Sequence, residues 1–120
     1  MTIRILVVED DIIIRQGFVT VLELEGFVVR EAADGREALE VLPDWRPDVI
    51  LLDLMMPVMT GWDFREAQLG DSALAAIPVI IMSGFADSEG EVATLKPAAH
   101  LQKPVSFQAM VDKIHHVHGS

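Results

Sequence analysis

Apolar positions along the chain fall into two kinds of block. The first kind is short and nearly continuous: Ile3–Val8, Phe27–Glu31, Asp48–Asp53, Pro78–Met82 and His100–Lys103. Such runs, rich in β-branched residues and without polar alternation, predict strands buried on both faces, as in a parallel sheet. The second kind repeats at helical spacing. Ile14, Phe18, Val21 and Leu22 share one face, and Gly26 ends that helix. Asp34 with Glu37 three residues on predicts a capped start for a helix carrying Ala38, Leu39 and Leu42, closed by Pro43 and Pro47. A loop with Pro57 and Gly61 leads to a helix through Trp62, Phe64, Arg65 and Leu69. Asp87 to Leu95 predicts a weak helix, since Gly90 interrupts it and Pro97 follows. Ser106 caps a last helix in which Phe107, Met110, Val111 and Ile114 share a face.

Alternation of five such strands with five helices predicts a three-layer α/β/α domain: one parallel sheet with helices on both faces. Right-handed crossovers narrow this to a doubly wound sheet. The 120 residues suit one domain spanning 1–120 with one core, and a 51% hydrophobic content argues against disorder. No apolar run approaches the roughly 18 residues of a membrane span. Met1 runs almost directly into the first strand, with no signal-peptide pattern, and there is no cysteine for a disulfide or thiolate metal site. These features predict a cytoplasmic protein. A net charge of −10 makes direct binding to nucleic acid or anionic lipid unfavourable. It points instead to cations or basic partners.

Ligands of doubly wound sheets bind beyond the carboxyl ends of the strands. The polar residues gather there. The first strand ends in Glu9 and Asp10, the third in Asp53, the fourth in Ser83 and the fifth in Lys103. Two carboxylates about 4 Å apart repel by roughly 4 kcal/mol at an effective dielectric near 20. Lys103 supplies one compensating charge, and a bound Mg²⁺ would supply two more. Mg²⁺ takes hard oxygen ligands, keeps several waters and needs only one or two carboxylates. A carboxylate can also act as a phosphoryl acceptor, because phosphoryl transfer depends mainly on positioning and charge neutralisation. Taken singly, each residue reads as a turn or cap. The ordered set, each member at a strand end, reads as a site.

The chain resembles the receiver domain of two-component response regulators from end to end. The resemblance rests on Val7-Val8-Glu9-Asp10-Asp11, on Asp48 to Pro57, on Gly61, on Ile80-Ile81-Met82-Ser83-Gly84 and on Lys103-Pro104. It implies a flavodoxin-like strand order 2-1-3-4-5 and a phosphorylation switch rather than an enzyme acting on other substrates. It further implies Asp53 as phospho-acceptor and Mg²⁺ (or Mn²⁺) bound by Asp10, Glu9, Asp53 and the backbone carbonyl of Met55. Ser83 would hydrogen-bond the phosphoryl group, Lys103 would pair with Asp53, and the Lys103–Pro104 bond would be cis. The implied partners are a sensor histidine kinase or phosphotransfer protein that donates from phosphohistidine, and a downstream effector protein or domain. The implied signalling face is formed by the fourth helix, fifth strand and fifth helix, and homodimers through that face are an expected variation.

Several positions depart from the family pattern. His100 stands where receivers usually carry Tyr or Phe, so the switch pair Ser83 and His100 includes a polar side chain that ordinarily titrates near about pH 6.5. Met55 and Phe85 flank the phosphoryl position with apolar side chains, which predicts slow self-dephosphorylation. His115, His116 and His118 cluster near the C-terminus, where partial positive charge at a helix end is favourable, and this reading outweighs a metal site. Other functions fit less well. An aspartate-nucleophile phosphatase usually has a second acid two residues on, where this chain has Met55. A flavodoxin-type cofactor site needs a hydroxyl-rich phosphate loop where this chain has Glu9-Asp10-Asp11. A degenerate receiver used as a constitutive interaction module is the remaining alternative.

Overall fold

The computed structural model describes residues 2–84 and 87–119. The strands are β1 (Arg4–Val8), β2 (Val28–Ala32), β3 (Val49–Asp53), β4 (Val79–Ser83) and β5 (Ala99–Gln102). They alternate with helices α1 (Ile12–Leu24), α2 (Gly35–Val41), α3 (Gly61–Leu69), α4 (Glu89–Ala93) and α5 (Phe107–Gly119). All strand pairs are parallel, in the order β2-β1-β3-β4-β5. The order reverses between β1 and β3, so the carboxyl ends of these two central strands border the crevice.

β3 and β4 are buried along their whole length, as their unbroken apolar runs require. β2, at the sheet edge, is buried only at Ala32 among its residues. Alternate side chains divide the core in two. One face gathers Leu6, Val8, Ile50, Leu52 and Ile81 with Leu42, Phe64 and Val92 of the α2–α4 segment. The other joins Ile5, Val7, Leu51, Ile80 and Met82 to Phe18 and Leu22 of α1 and to Met110 and Ile114 of α5.

Caps set the helix starts. Asp11 Oδ1 accepts from the amides of Ile13 (2.9 Å) and Ile14 (3.1 Å). Asp34, Thr60 and Ser88 cap α2, α3 and α4 in the same manner, and Ser106 Oγ accepts from Ala109 N at 3.2 Å. α4 is only five residues long, in keeping with Gly90 inside it. The observed strands β2, β4 and β5 are offset by one residue from the sequence expectation, since parallel hydrogen bonding and not apolarity fixes their ends.

Candidate functional site

Burial of β1, β3 and β4 fixes where their last side chains go. Glu9 follows β1 directly and is 2% exposed, Asp53 ends β3 at 1%, and Ser83 ends β4 at 1%. Asp10 is exposed. One carboxylate oxygen from each of Glu9, Asp10 and Asp53 lies within 4.8 Å of the others, and no other such group occurs among the described residues. Lys103, just past β5, places Nζ 2.5 Å from Asp53 Oδ1. The same oxygen accepts from the backbone amide of Met55 at 3.2 Å. The Lys103 amide donates to the Ser83 carbonyl at 2.8 Å, which ties the lysine to the end of β4. The Lys103–Pro104 peptide bond is cis.

One lysine does not neutralise three acids. Glu9 shows the strain most clearly: its carboxyl is pushed up to about 9. Burial is the largest cause, followed by contact with the Asp53 carboxyl, the charge of Asp53 and, more weakly, that of Asp10; Lys103 opposes them. Glu9 Oε2 is buried without a hydrogen-bond partner. An orphaned oxygen in a group of candidate ligands that, among the described residues, consists of carboxylates alone suits a hard divalent cation of the Mg²⁺ type.

The structure brings Glu9, Asp10, Asp53 and Lys103 together. Ser83 lies at the same sheet end, and its hydroxyl is hydrogen-bonded to His100 Nε2 on the neighbouring strand. Met55, whose carbonyl is the remaining expected ligand, follows β3 by two residues with its side chain 62% exposed. Phe85 falls outside the described residues. His115 packs its ring against Phe27 at 5.4 Å, a structural contact.

Several supporting contacts were not legible from sequence. Arg15 Nη1 donates to the Glu9 carbonyl at 2.8 Å while its Nε bonds Glu31 Oε1 at 2.8 Å, so it clamps the backbone after β1. A methyl group on Gly61 would lie 2.3 Å from the Asp53 carbonyl oxygen, so the loop after β3 can close against α3 only through glycine. Arg65 is 4% exposed yet has no acidic partner in its hydrogen bonds: it donates to the carbonyls of Leu95 and Lys96, each at 2.8 Å, and to Gln68 Oε1 at 2.7 Å. It thereby fixes the chain that leaves α4. An arginine on a helix ordinarily reads as solvent-facing, so no local signal marks it.

Between α1 and the start of α5 lies an apolar cavity of about 520 Å³, walled by Ile13, Ile14, Phe18, Val105 and Phe107, with Glu9 and Lys103 also in its lining. Ile13, Ile14 and Phe107 of its lining are 81%, 45% and 47% exposed.

A doubly wound parallel sheet with an acid cluster and a lysine at its carboxyl end defines the structural class, an α/β domain with its charged side chains gathered at one sheet end. Comparison with known proteins narrows the class. The family model described as the response regulator receiver domain matches residues 5–115. The chain is 34% identical over 113 residues to the DNA-binding response regulator MtrA of Mycolicibacterium paratuberculosis, covering 92% of this chain and 49% of that protein. It is 32% identical over 118 residues to the response regulator MprA of Mycolicibacterium vanbaalenii, covering 95% and 49%. The chain thus spans about half the length of these curated relatives. Among solved structures it is similar to the chemotaxis response regulator CheY4 of Vibrio cholerae, at TM-score 0.88 and 32% identity with 98% and 99% coverage. It is also similar to the receiver domain of Francisella response regulator 1452, at TM-score 0.86 and 30% identity with 98% of each chain covered. The chain belongs to the receiver-domain family of two-component response regulators. Among the described residues no helix is long and apolar enough to cross a membrane.

Proposed function

We propose that this chain is a phosphorylation switch in which Asp53 accepts a phosphoryl group from the phosphohistidine of a sensor kinase or phosphotransfer protein. The carrying observation is Asp53 itself: a carboxylate 1% exposed, its Oδ1 held 2.5 Å from Lys103 Nζ, inside a cluster of acid oxygens. An Asp53 oxygen attacks phosphorus, the phosphorus–nitrogen bond of the donor breaks, and the leaving imidazole takes a proton. Lys103 stabilises the charge on the transferred group. Glu9, Asp10, Asp53 and the Met55 carbonyl would hold Mg²⁺, which supplies further positive charge to the phosphoryl oxygens.

The apolar rim beside this site, with Ile13, Ile14 and Phe107 exposed, suits a helical donor protein that buries apolar side chains as it presents its histidine. The added phosphoryl charge of about −1.5 to −2 draws in Ser83 and Lys103. Population then shifts toward a form with a changed α4-β5-α5 face, read by an effector protein or domain or by a second copy of the chain. Cytoplasmic placement follows from the donor. Apolar Met55 beside the acceptor positions no hydrolytic water, so the phosphoryl group is long-lived. Intact-mass analysis after incubation with acetyl phosphate and Mg²⁺ tests this reading. One phosphoryl adduct, lost with a chelator, supports it; no adduct under conditions that modify another receiver favours a constitutive interaction module instead.

A further inference from the structure

His100 on β5 stands opposite Ile81 of β4 in the sheet register. Alternate residues of a strand share a face, so Ser83, two residues beyond Ile81, is a diagonal neighbour of His100. Their side chains meet in a hydrogen bond between Ser83 Oγ and His100 Nε2. Ser83 is buried and His100 half-buried, which limits the supply of substitute partners from water.

This bond exists in two chemically distinct forms. A hydroxyl has one hydrogen to donate, and an imidazole nitrogen accepts when bare and donates when protonated. With a bare Nε2, Ser83 gives its hydrogen to His100 and has none for another acceptor. With a protonated Nε2, His100 donates to Ser83 Oγ, and the hydroxyl hydrogen is free to turn elsewhere. Phenylalanine at this position could not make the exchange, and a tyrosine hydroxyl, which both donates and accepts, would not couple it to protonation near neutral pH.

We propose that His100 is a positioning residue for the switch: neutral His100 with its hydrogen on Nδ1 withholds the Ser83 hydrogen, and protonated His100 releases it to a phosphoryl oxygen on Asp53, so release by this route takes up one proton. The inference rests on the phosphorylation reading above. Among the elements around His100, β4 offers Ser83, which does not titrate. α4 on the same side carries Glu89 and Glu91, with Asp87 before it and Lys96 after it. The sheet end carries Asp53 and Lys103. α5 lies across the sheet, where Ala99 and Leu101 join Met110 and Val111, and its Asp112 and Lys113 are on that far side. Arg65 of α3, on the same side, donates to the Leu95 and Lys96 carbonyls and adds a base, so the direction rests on the phosphoryl group, whose negative charge favours the imidazolium form.

Long-range ¹⁵N–¹H spectra of histidine-labelled protein test the first step, with His100 assigned by its absence in His100→Phe. In the unphosphorylated wild type, neutral His100 should carry its hydrogen on Nδ1, and Ser83→Ala should move it toward the Nε2–H form. The same tautomer in both, or Nε2–H in the wild type, overturns the proposal. The second step is read after treatment with acetyl phosphate and Mg²⁺, with the adduct counted by intact mass. Given equal adduct, the wild-type fraction in the activated form should fall with rising pH relative to His100→Phe measured in parallel. Parallel profiles overturn the release step. Absence of any adduct at any pH would instead remove the phosphorylation reading, and the release step with it, while the tautomer spectra still report whether the tie exists.

Discussion

Raising the pH in the presence of Mg²⁺ probes the acidic sheet end through Glu9. This carboxyl is 2% exposed, its Oε2 lacks a partner, and burial beside Asp53 pushes its pKa up to about 9. At pH 7 it is therefore protonated, and removing the proton costs about 3 kcal/mol, at roughly 1.4 kcal/mol for each of about two units. A divalent cation binds the carboxylate and not the acid, so binding expels the proton. The apparent Mg²⁺ association constant should rise about tenfold per pH unit between about pH 6 and about pH 8.5. Calorimetry in buffers of different ionisation enthalpy should register about one proton released per ion near neutrality. Glu9→Gln should weaken binding and flatten the profile. The linked stability has a definite sign. Folded protein holds a proton that the unfolded chain loses above its ordinary value of 4.5, so this group's contribution is full below that pH and is lost as pH rises toward about 9. Mg²⁺ should oppose that loss in thermal melts. Tight Mg²⁺ binding with a flat pH profile and no proton release would refute the reasoning, because Glu9 would then already be ionised.

Other perturbations test separate parts of the structure. Arg65→Met leaves the Leu95 and Lys96 carbonyls and the Gln68 amide oxygen without a buried donor, and should cost about 3 kcal/mol in urea unfolding; a loss under about 1 kcal/mol would mean that water replaces the guanidinium. Val58 has φ of 66° and centres a tight turn closed by Met59 N and the Pro57 carbonyl at 2.7 Å, a conformation that a β-branched side chain resists. Val58→Asn should therefore stabilise the protein by about 1 kcal/mol, and an unchanged melting temperature would argue against strain there. Met55→Asn should shorten the phosphoryl half-life several-fold by giving hydrolytic water a hydrogen-bond partner, and an unchanged half-life would show that Met55 does not set it.

The strands were legible because parallel strands are apolar on both faces, and this signal is local. The site was legible for a related reason: Glu9, Asp53 and Ser83 each interrupt or follow an apolar run, so the sheet had to deliver them to one end. Long-range polar contacts were not legible. Arg65 bonds carbonyls thirty and thirty-one residues away, and nothing in its own helix distinguishes it from a solvent-facing arginine. The Ser83–His100 bond depends on strand register, which is fixed by pairing partners that the two segments do not reveal separately. Gly61 could be noted as part of a motif, but its reason emerged only from the close approach of the Asp53 backbone.

The central claim is that Asp53 itself carries the phosphoryl group, and locating the adduct tests it most directly. Protein treated with acetyl phosphate and Mg²⁺ would be reduced with borohydride, which converts an aspartyl phosphate to homoserine, then digested and sequenced by mass spectrometry beside Asp53→Asn. The account predicts homoserine at position 53 in the wild type and no modification in the variant. Homoserine at another acid, or an equal adduct on Asp53→Asn, would contradict it.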